Sequence, residues 1–334
     1  MGDPTVVSAA DLERGLEAVC ASAAGSAEGV FGPNSVVWQV DRESLVFLGA
    51  GRALLMQLAH PWVATAIAEH SNALADPIGR FHRTFQIVFT LVFGSLDQSL
   101  AMARRLHRRH GAITGTMPET MGPFPKGSRY VANETSALMW VHATLVDTAL
   151  AAYELVLPGL GTEAREGYYA EARILGVLFG IPLEAQPSDW AAFNRYVDAM
   201  VNSDTLMVGR AARDIGGSVL KGAERLPVPG WYRDITAALV PEPLRESFAL
   251  PFGPREQRRA ARTLEFARRT YPLLPDRIRH VAPYQEAVAR LTGRAGPDLV
   301  TRTLNRLWIG RTSMAGDCQA SSRGKSDYPS PWTS

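Results

Sequence analysis

Apolar positions recur three and four residues apart along most of the chain, and no stretch alternates as a half-buried strand would. Ser8–Ala24 reads as a short amphipathic helix with Leu12, Leu16 and Val19 on one face. Gly25–Asn34 is a Gly/Ser/Pro linker. Leu45–His60 predicts a strongly apolar helix with Gly49 and Gly51 inside it. Each glycine costs roughly 1 kcal/mol of helix propensity, so the pair predicts close packing against another element. Pro61 suits the first turn of a new helix, Trp62–Glu69.

Asp76-Pro77 is a helix start, an N-cap followed by proline at the first helical position, and the helix runs through Ile78–Phe93 to Gly94. Ser95 with Gln98 forms a capping box for Leu96–His110. That helix carries a basic face of Arg104, Arg105, Arg108 and Arg109. Gly111–Ser128 is a loop punctuated by Pro118, Pro123 and Pro125. Thr135–Leu157 is a long helix ended by Pro158-Gly159, and Glu163–Phe179 is another, ended by Gly180. Ser188-Asp189 caps a helix through Val201. Shorter helices fill Thr205–Leu220, Trp231–Ala238, Pro243–Phe248, Pro254–Tyr271 and Pro283–Leu291. The fold class is all-α, with an N-terminal helix and linker over 1–34, one helical domain over 35–312 and a flexible tail over 313–334. The tail is rich in Ser, Gly, Pro and Asp, with Trp332 as a local anchor.

Composition narrows the function. Apolar residues make up 46% of 334 and charged residues 20%, so a sizeable core can form. The net charge of +2 calls for neither nucleic acid nor an anionic surface as partner. Cys20 and Cys318 alone build no disulfide framework and no thiolate metal site. No signal-peptide pattern opens the chain, and Val6 stands where a myristoylation signal needs Ser or Thr, so a cytoplasmic protein is expected. The most apolar stretches, Leu45–Ile67 and Ala137–Leu157, carry Arg52, His60, His142 and Asp147, and read as buried helices rather than membrane spans.

The histidines carry the candidate chemistry. His107 and His110 share the basic face and His280 stands beside Arg277 and Arg279, so all three read as surface groups. His142 lies mid-helix beside the apolar Leu138, Val141, Leu145 and Ala149. Two readings stay open for it: a core histidine satisfied by a hydrogen bond, or a buried neutral imidazole able to hold an iron cofactor. Small Ala143 beside it would admit a flat macrocycle. Arg80 and Thr84 share one face of an otherwise apolar helix. Arg80 there needs an anion, either a buried partner such as Asp41 or Glu43 or an acidic group on a cofactor. Glu-x-x-His pairs, P-loop and Gly-x-Gly-x-x-Gly signatures and His-Glu-x-x-His are absent.

The ordered motifs resemble a family. Leu48-Gly49-Ala50-Gly51-Arg52 through Ala59-His60-Pro61 is similar to the signature of the DUF2236 proteins, also called the oxygenase MpaB family. His70-Ser71, Asp76-Pro77, Arg80-Phe81-His82-Arg83-Thr84 and Trp140-Val141-His142-Ala143-Thr144-Leu145 follow in order. Tyr168–Arg173, Leu175-Gly176 through Ile181-Pro182, Leu250–Gly253 and Arg277–Ala287 extend the likeness over residues 35–292.

The resemblance, which reaches to the latex-clearing proteins, implies a single globin-reminiscent helical domain enclosing a b-type heme (iron protoporphyrin IX). It implies His142 as the axial iron ligand, with Arg80, Arg83 and Thr84 beside the cofactor. Arg83 replaces the lysine that can close the distal side, which leaves the sixth iron position to water or open. His60 and His70 are candidate distal polar groups. No residue matches the glutamate base of the latex-clearing enzymes. The implied function is a heme-dependent oxygenase acting on an apolar, isoprenoid or lipid substrate with dioxygen. A peroxidase-like tailoring enzyme and a heme sensor without turnover are the alternatives.

Overall fold

The computed structural model describes residues 5–71, 76–223, 226–294 and 296–314. The helices are α1 (Ala9–Ser22), α2 (Val36–Asp41), α3 (Ala50–Leu58), α4 (Pro61–His70), α5 (Pro77–Phe93) and α6 (Leu96–Gly111). They continue as α7 (Thr135–Glu154), α8 (Thr162–Leu178), α9 (Trp190–Val201), α10 (Arg210–Lys221), α11 (Gly230–Leu239) and α12 (Glu242–Ser247). The last four are α13 (Pro254–Thr270), α14 (Asp276–Arg279), α15 (Ala282–Leu291) and α16 (Leu299–Ile309). Among the described residues, no helix is long and apolar enough to cross a membrane.

Local starts follow local chemistry. Ser8 and Asp11 exchange side-chain and backbone bonds at the head of α1, as Ser95 and Gln98 do at the head of α6. The Asp76 carboxylate accepts from Gly79 N at 2.8 Å to cap α5. Leu12, Leu16 and Val19 enter the main core, so α1 is packed into the same body as α6 and α8.

The centre is α7, buried on most sides, with Trp140 buried and its indole N–H donating to Met56 O at 2.9 Å. Here the fold departs from the expected continuous helix over Leu45–His60. A 3-10 helix spans Ser44–Gly49, and α3 ends at Leu58. The cause is Tyr232 of α11. Its hydroxyl donates to Phe47 O at 2.9 Å and accepts from Gly51 N at 3.1 Å. In an α-helix those two backbone groups would bond each other, so the phenol is inserted into the ladder. The close packing expected of the glycines is present. A Cβ on Gly49 would collide with Thr148 of α7, and one on Gly51 would stand 2.6 Å from Thr236 Oγ1.

Other departures are small. Two antiparallel hairpins appear where no strand was expected: β1 (Thr114–Thr116) with β2 (Arg129–Val131), and β3 (Gly222–Ala223) with β4 (Leu226–Pro227). Strands of two or three residues are too short to show a period. α10 begins at Arg210 rather than Thr205, because the preceding backbone crosses to α3, where Met207 N donates to Ala59 O at 2.8 Å. α2 and α16 were not anticipated; each starts on a capping side chain, Ser35 and Asp298.

His280 is not a surface group. It is only 8% exposed, because its backbone pairs with Glu43 and Val281 N donates to Arg42 O. Beside it Arg279 grips Glu43 with two bonds of 2.8 Å, and Tyr271 Oη donates to the same carboxylate at 2.9 Å. Burial pushes the Glu43 carboxyl up, but His280, Arg279 and Tyr271 overcome it and hold it at about 2. The segment expected to be a tail is docked at its start: Met314 is buried and its N–H donates to Glu286 at 2.9 Å. Residues 315–334, with Cys318 and Trp332, lie outside the described set.

Candidate functional site

A cavity of about 230 Å³ opens between α4, α5, α6, α7 and β2. Its walls are largely apolar, with Val63, Ile67, Val88, Leu138, Val141 and Leu145 prominent. Polar groups gather at its rim: His70, Ser71, Arg80, Arg83, Thr84, Arg109, His110 and Tyr130.

Helical spacing places Arg80 and Thr84 together on this wall. Among the described residues Arg80 has no carboxylate partner, and its guanidinium donates only to Ser71 Oγ, at 3.1 Å. Neither acid considered as its ion-pair partner reaches it. Glu43 is held by Arg279, and Asp41 is buried near Glu171. Burial, then the like charges of Arg83 and Arg109, lowers the Arg80 pKa to about 10. Arg83 leans back on the Asp76 carboxylate at 3.2 Å. The rim is therefore cationic and short of anions.

His142 is completely buried and does not line the cavity itself. Its neighbours along α7, Leu138, Val141 and Leu145, do, and so does Phe179, whose ring centroid lies 5.9 Å from the imidazole. The Ala172 backbone approaches the ring, but neither ring nitrogen completes a hydrogen bond among the described residues. Burial lowers its pKa to about 4, so the imidazole is neutral with a free lone pair.

The other histidines separate. His70 is at the rim, with Nε2 3.0 Å from Tyr130 Oη, and that phenol donates to the Glu69 carboxylate. Burial first, then the bond to Glu69, raises the Tyr130 pKa. Gly115 opposite makes this possible, since a Cβ there would strike the phenol. His60 precedes α4 and is buried away from the cavity, 5.2 Å from the Phe124 ring in a smaller cluster with Trp62. His107 and His110 are not solvated surface groups. His107 Nε2 bonds Val7 O at 3.0 Å. His110 lines the cavity with Nδ1 buried and unbonded, and burial, helped by Arg109 and His107, lowers its pKa to about 4.

Sequence reasoning missed Glu69, Tyr130 and His110 as members of this site. His110 continues the buried stripe of Ala103 and Leu106, spaced i, i+3 and i+7, and that signal was readable against the basic residues around it. No spacing links His70 to Tyr130. No group of three or more His, Cys, Asp or Glu side chains forms a protein-only metal cage among the described residues.

Residues 37–269 match the family described as ER-bound oxygenase mpaB/B'/Rubber oxygenase, catalytic domain. No curated protein and no solved structure matches the chain. With most of its helical body inside the match, the chain belongs to the mpaB/rubber oxygenase catalytic-domain family.

Proposed function

We propose that this protein is a heme-dependent oxygenase acting on an apolar substrate, with the cavity as its site. One observation carries the reading. Among the described residues, His142 is fully buried with both ring nitrogens unbonded, on a helix that lines the same cavity as Arg80, which has no carboxylate partner. Buried polar atoms are nearly always bonded, so an unbonded buried imidazole and a guanidinium that meets only a serine hydroxyl beside one cavity fit a group that is both metal and acid. Heme b is such a group: His142 would hold its iron, and Arg80 and Arg83 would hold its carboxylates.

When bound, the heme supplies the redox chemistry that activates dioxygen. The protein's part is narrower. Val63, Ile67, Val88 and Leu145 exclude water and hold an apolar substrate. Thr84 and His70 offer hydrogen bonds from the rim, and Tyr130 can pass a proton between His70 Nε2 and the Glu69 carboxylate. At about 230 Å³ the cavity is below the roughly 300–1,000 Å³ usual for ligand pockets, so its walls must part on heme uptake. His60 stands outside the lining and has no contact role in this scheme.

A second ligand assignment has its own support, since His110 lines the cavity directly. Absorption spectra of the ferric protein separate the two. His142→Ala should abolish the native Soret band while His110→Ala and His70→Ala keep it. The reverse pattern moves the ligand to His110. A colourless protein that ignores added hemin sinks the heme reading altogether.

A further inference from the structure

The four most exposed large apolar side chains among the described residues all fall in one C-terminal region: Leu273 (81%), Leu299 (78%), Phe266 (69%) and Ile278 (61%). They come from α13, the 3-10 turn Tyr271–Leu273, α14 and the start of α16. Arg277 Nη2 meets the Asp298 carboxylate at 3.1 Å, which sets α14 against the N-cap of α16. Ile278 and Leu299, each next in sequence to one member of that pair, therefore lie close in space. Tyr271 is buried and bonded to Glu43, so Leu273 and Leu274 project from an anchored base between Pro272 and Pro275. Large apolar side chains held outward on a firm support form a surface of the kind that meets a partner.

The surrounding charge is basic. Arg262, Arg268, Arg269, Arg277, Arg294 and Arg302 are exposed here. The acids on the same face are Glu265, paired with Arg269, Asp298, paired with Arg277, and the exposed Asp276. The balance favours an anionic partner, and protruding aliphatic tips suit a layer that yields around them.

We propose that this surface docks the protein on an anionic lipid bilayer. Leu273, Ile278, Leu299 and Phe266 enter the boundary between headgroups and acyl chains, and the arginines meet lipid phosphates. The docking does not depend on the heme assignment. It would also bring the proposed cavity to the phase in which an apolar substrate dissolves.

The test is co-sedimentation of the full chain with phosphatidylcholine vesicles, with and without phosphatidylserine. The protein should pellet with the phosphatidylserine vesicles and be partly released by salt. The double variant Leu273→Asp, Ile278→Asp should weaken binding about tenfold or more, with its melting temperature unchanged because both side chains are exposed. Leu299→Asp is a second variant, placed in the first turn of α16 where an acid suits the helix; it should weaken binding in the same direction. No pelleting with either vesicle overturns the proposal, as does binding that survives these substitutions. So does a wild-type chain that self-associates through this face, becomes monomeric in the double variant and never pellets, because the occupant is then a second copy.

Discussion

Tyr130 bridges two residues that adjoin in sequence: its phenol donates to Glu69 and lies 3.0 Å from Nε2 of His70. With the phenol proton committed to Glu69, His70 Nε2–H is the donor to the phenol oxygen. His70 is thereby oriented by a buried group rather than by solvent.

Tyr130→Phe should cost about 1 kcal/mol, since it removes two hydrogen bonds but leaves Glu69 free to hydrate at the surface. Hemin affinity should not change. The pH dependence of the ferric absorption spectrum should, because the hydrogen-bonded path from His70 to Glu69 is cut. A pH titration identical to that of the wild type would remove His70 and Tyr130 from the proposed relay.

Arg80→Ala should weaken hemin binding more than Arg108→Ala, which alters only an exposed side chain. The sign of the stability effect is the sharper test. Breaking a buried ion pair costs about 3–5 kcal/mol, but Arg80 has no carboxylate to leave behind. The apo variant should therefore melt at or above the wild-type temperature. A large drop in the apo melt would mean that Arg80 serves the fold instead.

Asp41 gives a pH signature. Burial, reinforced by Glu171, raises its pKa to about 7. The native state thus keeps a proton that an unfolded Asp, near pKa 3.9, releases. Stability linked to Asp41 is complete below about pH 4 and is lost as pH rises through 7. Asp41→Asn should stabilise by on the order of 4 kcal/mol at pH 8 and do little at pH 4. Equal melting shifts at both pH values would contradict the assignment.

Glu43 has the opposite sign. Its folded pKa of about 2 lies below the unfolded value, so its contribution is present above about pH 4.5 and fades as pH falls toward 2. Glu43→Gln should cost on the order of 3 kcal/mol at pH 7, with Arg279 left without its anion. Chemical denaturation at pH 7 and pH 3 should show the gap between variant and wild type narrowing in acid.

What could be read in the sequence was what is local. The starts of α1, α5 and α6 rest on pairs three residues apart, such as Ser8 with Asp11, and the shared face of Arg80 and Thr84 rests on one helical turn. What escaped depends on residues far apart. Glu43 finds Arg279, His70 finds Tyr130, and the first apolar helix is interrupted by a residue of α11. His110 escaped for another reason: arginines beside it hid the apolar stripe it extends.

The inserted hydroxyl of Tyr232 has a consequence for how the interior is divided. Before the break, Phe47 lies stacked on Trp308 at 4.0 Å and packs on Phe81 and Phe85, the helix that also bears Arg80 and Thr84. After it, Met56 O accepts from Trp140 of the helix bearing His142. One apolar run thus braces both flanks of the cavity, its first half wound as a 3-10 helix and its second as an α-helix. The passage from 3-10 to α-helix needs no loop, because the Tyr232 phenol takes up the Gly51 N–H and shares Phe47 O with Ala50 N.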